Sequence, residues 1–445
     1  MSEPITIIGG GLAGCEAALQ AAQSGVSVNL IDMKPQEFTP AHKLPQLGEL
    51  VCSNSLRSAA PGSAVGLLKI EMDMLGSALM DAARSSQVAA GQALAVDRHK
   101  FSGLMEASLE SQPLIKRICS RVDRLPDQGL TILATGPLTT QALAQDLARI
   151  TGSQGLHFYD AIAPIVLADS VDMDQAFWAD RYGKGSPDYL NCPLTKPEYQ
   201  AFFEALTTSE QVPLHDFESP RFFEGCLPIE VMAARGPQTL TFGPMKPVGL
   251  EDPRSGRRPF AVVQLRKEDA SGRLLNMVGF QTKLTHRAQE RVFRLIPALA
   301  QAEFVRLGSI HRNTFLDAPR VLEPDLSLKA APHILIAGQL SGVEGYVESA
   351  AMGILCGLNA ARRRLGQPVI LPPPTTALGG LLAHLANLET KDFQPSNVNF
   401  GLLPPLGRKL PKKERGLAYA RRALADLNDW MNQNGLVIHQ SPPRV

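Results

Sequence analysis

Of the six cysteines in this 445-residue chain (Cys15, Cys52, Cys119, Cys192, Cys226 and Cys356), two stand in polar company. Cys226 lies between Gly225 and Leu227-Pro228, which reads as a loop just ahead of a helix over 228–235. A thiol at a helix start gains thiolate character from the dipole. Cys52 opens the run Cys52-Ser53-Asn54-Ser55-Leu56-Arg57. Small polar neighbours and a nearby arginine suit a reactive thiol better than a packing one. A thiolate can add to an electron-poor carbon and leave again, as a covalent catalyst must. Three of the other four read as packing residues: Cys119 in a strand over 115–125, Cys192 before Pro193, and Cys356 inside a long helix. No C-x-x-C occurs, so neither a zinc ribbon nor a local redox disulfide is indicated, and no metal is expected. Free thiols are the expectation in a reducing compartment.

A thiolate needs a partner that explains its use, and the N-terminus supplies one. Ile5-Thr6-Ile7-Ile8 reads as a buried strand, Gly9-Gly10-Gly11-Leu12-Ala13-Gly14 as a glycine turn, and Cys15 onward as a helix. Gly9, Gly11 and Gly14 fit G-x-G-x-x-G. Such a turn lets a pyrophosphate approach the backbone at Gly11 and lets the helix pack close at Gly14, with the helix N-terminus facing the anion. A second strand over 26–31 ends at Asp32, about where an acid binds a ribose hydroxyl in such sites. Lys34 follows. Thr131-Ile132-Leu133-Ala134-Thr135-Gly136 is a further buried strand, and its end at Gly136 is a second place where the chain could pass a dinucleotide.

The same texture returns late in the chain. His333 to Gly338 reads as a buried strand, Gln339 to Tyr346 as a second glycine turn, and Val347 to about Arg363 as a helix. A returning strand, turn and helix N-terminus closes an FAD site beneath the flavin, which favours FAD over NAD as the tightly bound cofactor. Gly338-Gln339 stands where many flavoproteins have Gly-Asp. Gly345 and Tyr346 sit at the end of this turn. The fold class is therefore α/β: a Rossmann-like, glutathione-reductase-like FAD-binding domain over 1–180 and 330–445, interrupted by an inserted α+β domain over 181–329. Within the insert, strand-like runs occupy 239–242, 261–266 and 274–280. Helices are expected near 377–387 and 412–433, after a stiff linker at Pro368 and Pro372 to Pro374.

Composition narrows the class. Charged residues make up 20% and hydrophobic ones 44%, which suits a globular protein with sizeable cores. No apolar run is long enough to span a membrane. The apolar residues near the start already form the first strand, so no signal peptide and a cytoplasmic location are expected. A net charge of +1 does not advertise nucleic acid. Local basic clusters at 254–267, 283–294 and 408–422 could still track phosphates.

Longer motifs point further. Thr39-Pro40-Ala41-His42, the Cys52 to Arg57 block, Tyr189 to Leu194, Phe223 to Glu230, Gly243 to Leu250, Gly279 to Thr282, His311-Arg312-Asn313-Thr314 and the Gly338 to Glu348 turn together resemble the folate- and FAD-dependent tRNA (uracil-5-)-methyltransferases. These are siblings of the wobble-uridine-modifying flavoproteins. The Gly-Gln pair is normal for that group, whereas Asp32 and Lys34 replace an expected Glu and Arg. The resemblance implies methylation of a T-loop uridine at carbon 5 in tRNA. It implies 5,10-methylenetetrahydrofolate as one-carbon donor, reduced FAD as reductant, and NADH or NADPH to reduce the flavin. It makes Cys226 the nucleophile. Cys52 becomes a second thiol near the flavin, either a proton acceptor at carbon 5 or a guard of the flavin adduct. His311, Arg312, Asn313 and Tyr346 become candidates near flavin or folate. Three other readings stand beside it: a wobble-uridine enzyme, whose long C-terminal domain this chain has no room for; a flavin-bearing tRNA-binding protein without turnover; and an NAD(P)H oxidase.

Overall fold

A computed structural model describes residues 3–152, 156–183, 186–213, 227–390, 393–407 and 410–440; for 156–160, 311 and 312 it describes the backbone alone. Its centre is a six-stranded sheet ordered Ser327–Leu328, Ala331–Ile336, Thr131–Leu133, Ile5–Ile8, Val28–Asp32, Ile115–Cys119. The five strands from Ala331–Ile336 onward in this order run parallel, and only the edge strand Ser327–Leu328 is antiparallel. Ile5 and Ile7 are fully buried, as strands covered on both faces require. The chain runs outward from Ile5–Ile8 on one side, then returns on the other. That reversal of strand order opens a crevice at the carboxyl ends of the strands.

Helix Leu12–Gln23 is buried from Leu12 to Ala22, so its alanine-rich sequence suits a helix covered on all sides. Helix Tyr346–Arg364 packs directly on it. A Cβ at Gly353 would strike the Ala13 backbone, and one at Gly357 the Ala17 backbone. The two helices approach at a distance that only glycine allows.

Residues 165 to 306 supply a second, antiparallel sheet ordered Phe177–Ala179, Tyr189–Leu194, Ala261–Lys267, Leu274–Met277, Ile165–Leu167, Phe304–Arg306. It has its own core, which runs from Val166 to Ala302, while the first core draws on residues up to Leu147 and again from Phe315. Two strands of this sheet precede residue 181, so sheet membership begins earlier than the expected boundary. An antiparallel ribbon, Leu156–Ala161 with Ile310–Phe315, joins the two units. Residues 239–242, expected as a strand, form the short helix Thr239–Phe242. Only Leu240 of the four is buried, so the alternation never makes a face. The two expected late helices are Ala377–Leu385 and Lys412–Gln433. Among the described residues no helix is long and apolar enough to cross a membrane.

Two buried acids tie distant helices down. Glu71 accepts the amide protons of Ala377 (2.7 Å) and Leu378 (2.8 Å) at a helix start. Burial pushes its carboxyl from 4.5 up to about 8, outweighing those two bonds. Glu16, which accepts from the Leu79 amide at 2.8 Å, is pushed up by burial to about 7. Between the ordinary and raised values the folded chain holds protons that the unfolded chain has released, so stability falls as pH rises through that window.

Two outcomes are expected. Gly353→Val should force the helices apart and cost about 1–3 kcal/mol, read as a lower urea midpoint. Unfolding free energy should fall between about pH 5 and pH 7, and Glu71→Gln should flatten that slope, as urea titrations at both values would show.

Candidate cofactor cleft and the Cys52 loop

A cleft opens at the carboxyl ends of the central strands. Of the residues expected to bind the cofactor, Gly9, Gly11, Leu12, Ala13, Asp32, Lys34, Gly136, Gly338, Gln339 and Tyr346 line it. Gly10, Gly14 and Gly345 do not line it; Gly345, at φ +109°, is the residue from which helix Tyr346–Arg364 starts. Gly9 has φ +104°, and a Cβ there would come within 2.5 Å of the Ala134 carbonyl oxygen. A Cβ at Gly14 would strike the Gly9 carbonyl oxygen, so helix and turn touch backbone to backbone. A Cβ at Gly11 would meet nothing within 4 Å. It would instead stand in the cleft, which is the cradle a pyrophosphate needs. The helix behind it has no acidic residue in its first turn and no side chain capping its N-terminus. Its amides therefore remain available to an anion.

Asp32 bridges the turn to the next loop. Its carboxylate accepts from the Gly10 amide (2.6 Å) and the Lys34 amide (2.8 Å). Lys34 is buried, and its ammonium donates to the carbonyls of Leu44 (3.4 Å) and Gln46 and lies 3.5 Å from Glu49. The Lys34 ammonium is thus turned into the 44–49 loop, because a buried ammonium needs local acceptors. In the same wall the Thr39 hydroxyl and His42 Nδ1 are 2.6 Å apart. Burial first, and then Lys34, lowers the His42 imidazole below its ordinary range.

The far end of the cleft is built by the returning turn. Tyr346 begins helix Tyr346–Arg364, and its hydroxyl accepts the amide protons of Cys52 (2.6 Å) and Ser53 (3.1 Å). Residues 294 positions apart in sequence meet here, which brings the Cys52 loop to the cleft. Arg57 holds a left-handed φ of 63° and pairs with the buried Glu348, which also accepts from the Val398 amide at 2.9 Å.

Cys226 lies outside the described residues. The helix expected after it is Ile229–Ala233, shorter than the expected 228–235 and starting three residues beyond the thiol. Its start is held by the Gln281 carbonyl, which accepts from the Ile229 amide at 2.7 Å. Glu230 accepts from the Lys283 amide (2.5 Å) and the Thr282 hydroxyl (3.1 Å). Two sequence motifs, Phe223 to Glu230 and Gly279 to Thr282, thus meet at helix Ile229–Ala233. His311, Arg312 and Asn313 sit on the joining ribbon, opposite Asp160, Tyr159 and Phe158. The side chains of His311 and Arg312 lie outside the description, while Asn313 is buried. The neighbouring Thr314 amide donates to the Pro137 carbonyl at 2.9 Å, so the ribbon abuts the Gly136 turn. Cys192 is buried in its strand, its thiol pushed up to about 12 by burial, and Cys356 is buried with its thiol donating to the Ile336 carbonyl. Cleft residues missed in the sequence include Thr135, Thr139, Thr140, Ser120 and Ser349. Each follows a strand end or opens a helix beside a recognised glycine, and that position was the available signal.

Filling the cleft at Gly11 should separate folding from cofactor retention. Gly11 has φ −73°, open to any residue. Gly11→Val should keep the wild-type urea midpoint yet purify without the yellow flavin absorbance.

The family model for glucose inhibited division protein A matches residues 4–368. The chain is 56% identical over 432 residues to a protein of Geobacter sulfurreducens named "Methylenetetrahydrofolate--tRNA-(uracil-5-)-methyltransferase TrmFO", covering 97% of this chain and 99% of that one. It is 54% identical over 425 residues to a protein of the same name from Moorella thermoacetica, covering 95% and 97%. In fold it is similar to Aquifex aeolicus GidA, with a TM-score of 0.71 at 16% identity, over 98% of this chain and 76% of that one.

Proposed function

The chain belongs to the glucose inhibited division protein A family, in the branch whose members are named folate-dependent tRNA (uracil-5-)-methyltransferases, and from that membership we propose that it methylates carbon 5 of a T-loop uridine in tRNA. 5,10-Methylenetetrahydrofolate supplies the carbon. The single observation that carries this reading is end-to-end identity above one half to relatives bearing that activity in their names. The cleft supports it, since its open cradle at Gly11 fits FAD. The Gly9 to Ala13 turn would hold the pyrophosphate, Asp32 the ribose, and the Gly338 to Tyr346 turn the flavin end. When bound, FAD supplies the reducing electrons, and NADH or NADPH replenishes them.

The chain's own groups have the remaining tasks. Uracil carbon 5 is a weak nucleophile. Addition of the Cys226 thiolate to carbon 6 makes carbon 5 an enolate carbon that can bond to the methylene unit. Carbon 5 then loses its proton as the methylene–nitrogen bond to the folate breaks, which leaves an exocyclic methylene. A hydride, which FAD would supply when bound, reduces that methylene to methyl as the S–C6 bond breaks and the sulfur leaves as thiolate. Cys52, held beside Tyr346, is the second thiol of the site. The target base is stacked inside tRNA, so it must be extruded at a cost of roughly a few kcal/mol. Basic segments at 283–294 and 408–422 are candidates for phosphate contacts.

Incubation of the yellow protein with undermodified tRNA, NADH and labelled methylenetetrahydrofolate should place label in 5-methyluridine. Cys226→Ala should bind FAD and tRNA yet form none. Full activity in that variant removes Cys226 from the nucleophile's role, and label in a wobble uridine instead would point to the sibling activity.

A further inference from the structure

The Cys52 loop is gripped from two sides. On one side is the Tyr346 hydroxyl described above. On the other are guanidinium groups from three separate elements. Arg98 opens helix Arg98–Glu110 and donates to the carbonyls of Leu50 (2.6 Å) and Cys52 (3.0 Å). Arg306 ends strand Phe304–Arg306 of the inserted unit and donates to the same Cys52 carbonyl at 3.1 Å. Arg266, from strand Ala261–Lys267, donates to the Ser53 hydroxyl (3.2 Å) and the Asn54 side-chain oxygen (2.7 Å). Asn54 is fully buried and donates to the carbonyls of Val96, Lys267 and Glu268 at 3.0–3.2 Å.

The charges around this loop do not balance. Among the described residues, three guanidinium groups face one carboxylate, the buried Glu268, which pairs with Arg98. Tyr346 is kept neutral by burial. Arg306 Nε and Arg266 Nε are buried with no hydrogen-bond partner among the described residues. Cations left in excess in a buried place call for a further anion. The Cys52 thiol is near enough to Arg306 for a thiolate there to interact with the guanidinium, and near enough to the Tyr346 hydroxyl to oppose its ionisation.

We propose that Arg306 is a positioning residue for Cys52. Reaching across from the inserted unit, it fixes the Cys52 carbonyl opposite Tyr346, and with Arg98 and Arg266 it favours the thiolate form of Cys52. The proposal rests on the reading of Cys52 as a working thiol of the methyltransferase. It adds that a residue of the inserted unit sets the position of this thiol.

The test uses full-length holoenzyme with Arg306→Met and Arg306→Lys. Two rates are read: alkylation of Cys52 by iodoacetamide, located by peptide mass spectrometry, and methyl transfer to tRNA. In Arg306→Met, Cys52 alkylation should slow at least about fivefold as thiolate character is lost. The kcat should fall roughly 10- to 100-fold, the scale of a lost charge-assisted hydrogen bond. FAD content and the KM for methylenetetrahydrofolate should stay at wild-type values. Arg306→Lys keeps a cation there and should recover part of both losses. Wild-type alkylation and kcat in Arg306→Met would overturn the proposal. So would equal kcat losses in both variants with Cys52 alkylation unchanged. If Arg306→Met does not fold, Arg98→Met, which frees the same carbonyl, is read by the same two rates. If the wild-type protein forms no 5-methyluridine, the methyltransferase reading fails, and the alkylation rate alone still decides the clamp.

Discussion

Gly353 and Gly357 lie against the backbone of Ala13 and Ala17, and through that approach two helices more than 300 residues apart in sequence point their N-termini at one cleft. The first helix brings open amides behind Gly11. The second brings Tyr346, Ser349 and the returning turn. Any Cβ at either glycine would separate the helices, lift the returning turn away and break the cleft in two. The central sheet follows the same constraint: Ala331–Ile336 can pair with Thr131–Leu133 because the helix that follows it has a seat on the first. The inserted unit, with its own core, can be as large as it is because the return is secured by backbone contact.

The second dependency is electrostatic. A loop of small polar residues has little apolar surface to fix its place, so Cys52, Ser53 and Asn54 are held by hydrogen bonds to the Tyr346 hydroxyl and from Arg98, Arg266 and Arg306. The arginine bonds involve charged donors, which makes them stronger and more directional than ordinary ones. They also cross the seam between the two units, so the position of Cys52 depends on both. Burying three guanidinium groups beside one carboxylate is costly, and a site that chemistry uses is where such a cost is tolerated.

Much of the dinucleotide frame was legible because its signals are local. A β-branched run, a glycine turn and an alanine-rich helix announce themselves within about twenty residues, and the same signature recurred at 333–363. The late helices also appeared close to their expected places, since apolar periodicity and flanking prolines are properties of short segments. Thr239–Phe242 misled because four residues carry too little periodicity to separate strand from helix. The expected start of the inserted unit at 181 lies inside its sheet, because Ile165–Leu167 pairs with strands a hundred and more residues later. Long-range pairing leaves no mark on the segment that is recruited. Lys34 shows the same limit, since its charge was visible and its acceptors, Gln46 and Glu49, were not.

By itself, then, the sequence determined which residue types stand at which turns: the three glycines, the acid at 32, the polar cysteines and the family motifs. These depend on chemistry that each short stretch carries alone. Only the tertiary structure decided which stretches share a site. It brought Tyr346 to the Cys52 amide, three arginines to the Cys52 loop, Gln281 and Lys283 to helix Ile229–Ala233, and the Thr314 ribbon to the Gly136 turn. Those meetings are set by packing of helices and pairing of strands across the whole chain, and no spacing along the sequence encodes them.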